Sequence, residues 1–224
     1  MLRALNFLDH CQKKTIYIGE GELIVGERGP KPKCVPTFPE LTCHSVEDFN
    51  VLNTREMQRF TISQQDIDTY EKEVIPYWQG KTQRERIFNH VPDEWRAAYE
   101  AGLFTEFMEQ RAPGHTALDG KIYKKGMLDF KKEIAANLAS LDYLNDAEAT
   151  DKAEQWKAMD ISCDAVIVFA ERHAELAEQM AADEKDPQRA AELLKIAKVC
   201  RYVPAHAPRN LWEAIQMYWF VHLG

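Results

Sequence analysis

The sequence has little that would tie it to a membrane, a disulfide frame or a nucleic acid. No run approaches the roughly 18 apolar residues of a spanning helix, so no membrane partner is expected. The start, Met1-Leu2-Arg3-Ala4-Leu5, lacks the organisation of a cleavable signal. The five cysteines, Cys11, Cys34, Cys43, Cys163 and Cys200, are odd in number and form no Cys-x-x-Cys pair. Neither a disulfide framework nor a metal site is indicated, and a reduced, cytoplasmic setting is the simplest reading. Bases are outnumbered, 28 against 36 acids, for a net charge of −8. That balance supplies no clustered phosphate-binding face, so no nucleic-acid partner is expected. Lys124-Lys125 and Lys131-Lys132 sit among acids and read as solvated helix faces. Internal repeats and low-complexity tracts are also missing. What remains is 224 residues, 45% hydrophobic and 29% charged, enough for a well-packed globular body.

The first 62 residues read as an irregular segment with short strands. Thr15-Ile16-Tyr17-Ile18 and Glu22-Leu23-Ile24-Val25 are β-formers around a Gly19–Gly21 turn. Between Gly26 and Pro39 lie four prolines and two glycines, an irregular connector. Residues 63–224 read as helical, in one domain. Ser63/Asp66, Thr82/Glu85 and Asn210/Glu213 have capping-box spacing. Pro92 and Pro187 stand where a first helical residue would. Helices are expected near 64–78, 82–90, 92–102, 127–141, 146–182, 187–200 and 210–223.

The longest of these carries an apolar row through Trp156, Met159, Cys163, Val166, Phe169 and Ala170. Its middle, Ala165 to Ala170, is apolar all round, which points to burial within something larger. Trp212, Ile215, Met217, Tyr218, Trp219, Phe220, Val221 and Leu223 leave almost no polar face before the sequence stops at Gly224. A free apolar end is costly in water, so a chain cut short inside a larger fold is expected.

One stretch carries chemistry: Phe104-Thr105-Glu106-Phe107-Met108-Glu109-Gln110-Arg111-Ala112-Pro113-Gly114-His115-Thr116. A helical run ends in Pro-Gly and a histidine follows at once. Gly114 permits a tight turn that holds the imidazole at a fixed angle. Histidine gives and takes a proton near neutral pH, which suits protonation of a leaving hydroxyl. On spacing alone, a structural hydrogen bond to a neighbouring loop is the commoner role for a histidine such as His115, and Phe107 fits ordinary core packing at least as well as a pocket wall. Glu109 and Arg111 are expected to brace the turn.

The segment Phe104–Thr116 resembles the N-terminal substrate-pocket motif of glycyl radical enzymes of the dehydratase type. Four further motifs agree, in order along the chain. Gly21-Glu22-Leu23-Ile24-Val25-Gly26-Glu27 resembles an early family signature, followed by the Pro-rich stretch to Pro39-Glu40. Ile122-Tyr123-Lys124-Lys125-Gly126 resembles the segment after the pocket histidine. Val203-Pro204-Ala205-His206 and Ala214 to His222 resemble the later helical signature. The resemblance favours the trans-4-hydroxy-L-proline dehydratase branch over glycerol and diol dehydratases and choline trimethylamine-lyases.

The resemblance implies a fold, a cofactor and partners. The fold is the mainly helical N-terminal section of a ten-stranded α/β barrel. The cofactor of the full-length enzyme is a glycyl radical, installed by a radical S-adenosylmethionine activating enzyme; a cysteine in a Cys-x-Glu loop carries the thiyl radical. The reaction is removal of water from trans-4-hydroxy-L-proline to give 1-pyrroline-5-carboxylate, in a homodimer. His115 matches the position that contacts the leaving hydroxyl, and Phe107 the aromatic wall beside the ring. None of the five cysteines here is followed by x-Glu, and the glycyl loop is missing too. The chain alone is therefore expected to hold no cofactor and to be inactive. The family's catalytic aspartate would lie just past Gly224, and a helical lead would precede Met1. The other reading is a stand-alone helical binding or scaffold protein; the apolar Trp212–Leu223 stretch counts against it.

Overall fold

A computed structural model describes residues 1–29, 31–32, 34–104 and 118–223. Within them the chain is mainly helical and has no strand. The elements are α1 (Leu2–Lys13), α2 (Val46–Thr54), α3 (Gln64–Thr69), α4 (Ile75–Trp78), α5 (Gln83–Phe88), α6 (Asp93–Glu100), α7 (Met127–Ala139), α8 (Ala149–Asp183), α9 (Pro187–Tyr202) and α10 (Leu211–Leu223). No helix among the described residues is long and apolar enough to cross a membrane. The chain forms two compact units. One joins Met1–Val35 to the residues from Leu118 onward, and the other runs from Pro36 through Phe104.

In the first unit α8 is the central element, packed against α1, α7 and α9. Its row divides between two cores. Phe169 and Ala170 meet Cys11 and Ile18 from the N-terminal stretch, Leu193 and Ile196 from α9, and Phe220 from α10. Cys163 meets Ile122, Met127, Ile134, Val199 and Met217. Met159, expected in the row, is 43% exposed.

Two helices occupy the segment 1–62, where short strands were expected. In α1, Ala4, Phe7, Leu8 and Cys11 repeat at i, i+3, i+4 and i+7 and turn inward. In α2 the start is set by Ser45 and Asp48, a complete capping box. The β-forming runs 15–18 and 22–25 are irregular backbone instead.

In the second unit, Ser63/Asp66 and Thr82/Glu85 cap α3 and α5 as expected. The expected helix over 64–78 is interrupted by a π turn, Tyr70–Val74, ahead of Pro76. Proline lacks the N–H for the regular ladder, and a wider turn is one way past the gap. Pro92 is the N-cap of α6, one residue outside the helix, whereas Pro187 opens α9. Tyr70 packs edge-on against Phe49, ring centroids 4.8 Å apart, and both are buried.

Candidate functional site

The expected site residues Phe107 and His115, with Glu109 and Arg111, lie outside the described residues. The approach to them is described as far as Phe104. Its ring lies 4.7 Å from that of Trp95, within a cluster that includes Tyr99 and Phe88. The Arg84 guanidinium sits 4.5 Å over Phe88 and donates to the Tyr99 hydroxyl at 3.0 Å. Arg96 donates to the Phe88 carbonyl at 2.5 Å, tying α6 to the end of α5. Aromatic groups at these separations attract one another beyond simple burial.

The other four motifs meet in pairs within the first unit. Residues 19–28 form an irregular strap whose backbone is bonded by side chains. Arg189 donates to the carbonyls of Gly19 and Glu22, at 3.1 and 2.9 Å. Trp212 Nε1 donates to Leu23 O at 3.0 Å, and Trp219 Nε1 to Gly26 O at 2.8 Å. Gln216 acts as a substitute strand edge. Its Oε1 accepts the Val25 N–H at 2.8 Å and its Nε2 donates to Val25 O at 2.7 Å, in complete burial. Lys14 Nζ reaches the carbonyls of Glu27 and Arg28, each at 3.2 Å. Burial lowers the Lys14 pKa, and Cys11 and Arg172 add opposing smaller effects. Gly26 has φ +121, and a Cβ there would lie 2.8 Å from Leu223 Cδ1, so no other residue fits without strain.

The second pair brings Gly126 against residues 203–206. The N–H groups of Met127 and Leu128 donate to Pro204 O and Ala205 O, at 2.8 and 3.0 Å. A Cβ on Gly126 would collide with the backbone of Ala205 and His206. The residue is glycine because two main chains touch there. Beside this contact, Glu213 is 2% exposed, and its carboxylate takes the Arg209 N–H and guanidinium, the shortest bond 2.6 Å. The Arg209 hydrogen bond holds its pKa down. Asn210 accepts the Glu213 N–H at 3.0 Å, so the expected cap is present on one side, while the Glu213 carboxylate serves Arg209.

Chemically, the strap contacts end on backbone carbonyls and an N–H. They fix the path of the chain and move no proton. The thiols tell the same story. Burial pushes Cys11 and Cys163 up to about 11 and Cys200 up to about 12, so each is a neutral core group at physiological pH. Among the described residues no three His, Cys, Asp or Glu side chains converge to hold a metal ion. The clamps Arg189, Trp212, Gln216 and Trp219 escaped the sequence reading. Their signal was the alternation of long donors with apolar residues on α9 and α10.

Comparison with known proteins agrees with this arrangement. The family model described as pyruvate formate lyase-like matches residues 1–224. The trans-4-hydroxy-L-proline dehydratase of Clostridioides difficile is 49% identical over the whole chain. A crystal structure of hydroxyproline dehydratase from that organism, with trans-4-hydroxy-L-proline bound, superposes with a TM-score of 0.90 over 99% of the chain. An isethionate sulfite-lyase of Desulfovibrio desulfuricans is 33% identical over the whole chain. In each case the chain spans 28% of the relative's length.

Proposed function

The chain belongs to the pyruvate formate lyase-like family, and from that membership we propose that it is the N-terminal section of a glycyl radical dehydratase acting on trans-4-hydroxy-L-proline. The observation that carries the substrate is the 49% identity over all 224 residues to a dehydratase of that compound. The agreement in backbone with a structure holding the same compound supports it.

In this reading the section contributes two groups to the pocket. His115, which follows Pro113-Gly114 in the sequence, donates a proton to the departing 4-hydroxyl, so that water leaves in place of hydroxide. Phe107 forms an apolar wall that excludes bulk water from the small ring. The glycyl radical supplies hydrogen-atom abstraction by way of a cysteine thiyl. This sequence has no Cys-x-Glu, so both radical-bearing loops, and the ten-stranded barrel around them, belong to the remainder of the full-length enzyme. The 224 residues alone would turn nothing over. The free, largely buried cysteines fit a reducing cytoplasm, and the full-length partners would be an activating enzyme and a second subunit.

The test is the full-length gene product, activated anaerobically by its radical S-adenosylmethionine enzyme and supplied with trans-4-hydroxy-L-proline. Formation of 1-pyrroline-5-carboxylate is expected. A glycyl radical signal without turnover would move the substrate to glycerol, a diol or choline. Absence of any radical would end the enzyme reading.

A further inference from the structure

His173, on the inner face of α8, is fully buried, and one of the strap's holders, Lys14, is among its charged neighbours. Its Nδ1 lies 2.7 Å from the Phe169 carbonyl. A carbonyl can only accept, so Nδ1 carries the proton. Nε2 is therefore a bare acceptor, and it is buried without a partner among the described residues. Its ring lies between Phe169, edge-on at 4.6 Å, and Phe220 of α10 at 5.4 Å. An unpaired polar atom at full burial is uncommon and costs stability.

Among the described residues, the charged groups that act on it are both cations. Arg172 precedes it on α8 and donates to Cys11 O at 2.6 Å and Lys14 O at 2.8 Å. Lys14 caps α1, sits 5.0 Å over the Phe169 ring and holds the strap carbonyls. Cys11 of α1 and Cys200 of α9 share the same core as neutral thiols. On α10, Phe220 brings no charge, and Glu213 is committed to Arg209.

We propose that His173 is an acid-sensitive latch: when it takes up a proton, α10 and the 19–28 strap come away from α8 while the α7–α8–α9 body stays closed. The proton arrives from solvent at Nε2. The new N–H finds no acceptor in place, and the cation is repelled by Lys14 and Arg172. Both effects are relieved when Phe220 withdraws and water reaches the ring. The strap follows because most of its anchors, Trp212, Gln216 and Trp219, ride on α10 and Lys14 is one of the cations facing His173; the Arg189 bonds from α9 to Gly19 and Glu22 are the ones it must break. Burial holds the His173 pKa down, from the ordinary 6.5 to about 4. The sign follows directly. The closed state binds the proton less well than the open one, so closure is favoured above pH 6.5 and lost as pH falls toward 4. Between about pH 7.5 and pH 5 the opening equilibrium rises roughly 30-fold.

Hydrogen–deuterium exchange of the unactivated full-length product, corrected for intrinsic rates, tests this at those two values. Peptides covering 19–28 and 211–223 should lose roughly 30-fold in protection at the lower pH, with α7 and α9 unchanged. His173→Leu fills the site without a titrating group and should abolish the loss; His173→Gln, neutral and still able to hydrogen-bond, should do the same if the leucine variant fails to fold. The proposal is overturned by an equal loss in the variants, by a loss spread evenly over α7 and α9, or by no loss in the native protein.

Discussion

Gln216 satisfies two backbone groups that have no strand to pair with. Replacing it with leucine keeps the volume and leaves the Val25 N–H and C=O buried and unpaired. Each such orphan costs on the order of 1–3 kcal/mol. We expect Gln216→Leu to lower unfolding stability by about 3 kcal/mol, read as a drop in the urea midpoint at constant slope. A drop below about 0.5 kcal/mol would mean that water serves the strap equally well. His115 is expected to matter for the chemistry and not for stability. His115→Ala in the full-length enzyme should cut turnover by about 100-fold or more while the glycyl radical yield is retained. Loss of the radical itself would assign His115 to the fold.

Among the elements, legibility followed whether the signal was local. A capping box is complete within four residues, so Ser63/Asp66 and Thr82/Glu85 announced α3 and α5 directly. Ser45/Asp48 carried the same signal for α2, hidden by the proline-rich run before it. The spacing Ala4, Phe7, Leu8, Cys11 carried an equally local signal for α1, passed over when 1–62 was read as irregular. The strap was not legible. Its residues are strand formers, and composition cannot say whether a strand or a set of side chains will meet the backbone. α10 misleads for a related reason. Its polar Glu213 and Gln216 point inward at 2% and 0% exposure, while Leu211 and Ile215 face out at 75% and 44%. The same buried side carries Met217, Phe220 and Val221, so apolar periodicity alone does not show that hydrogen-bonding groups lie among them. The cap at α5 supplies a quantitative check. The Thr82 hydroxyl accepts from the Glu85 N–H and donates to its carboxylate, and it is 2% exposed. Thr82→Ala should cost about 1 kcal/mol and speed amide exchange in residues 83–88 before anywhere else. An unchanged exchange pattern there would show that Glu85 caps the helix alone, through Gly80 and Thr82 N–H.

At the scale of the whole molecule, the first unit is assembled from two stretches far apart in sequence. The bonds that join them span separations such as 161 residues for Arg172 to Cys11 and 191 for Gln216 to Val25. Periodicity within a window cannot report such pairings, which is why the individual helices were readable and their arrangement was not. It also makes the N-terminal stretch part of the core. Cys11, Ile18 and Val25 are 3%, 5% and 0% exposed in the same cluster as Phe169 and Phe220. Removing residues 1–35 would uncover that cluster and leave the side-chain donors of Arg172, Arg189, Gln216, Trp212 and Trp219 without their acceptors. Losing even three large apolar contacts costs on the order of 5 kcal/mol, comparable with the whole stability of an ordinary domain. The shortened chain is therefore expected to keep helical circular dichroism from α8 and α9 but to lose a cooperative thermal transition. It should also bind a hydrophobic dye, as loosely packed states do. A sharp melt within a few degrees of that of the 224 residues would show that α7 to α10 form a self-sufficient body. The strap would then be a covering laid on it, and the clamps on α9 and α10 would be dispensable for folding.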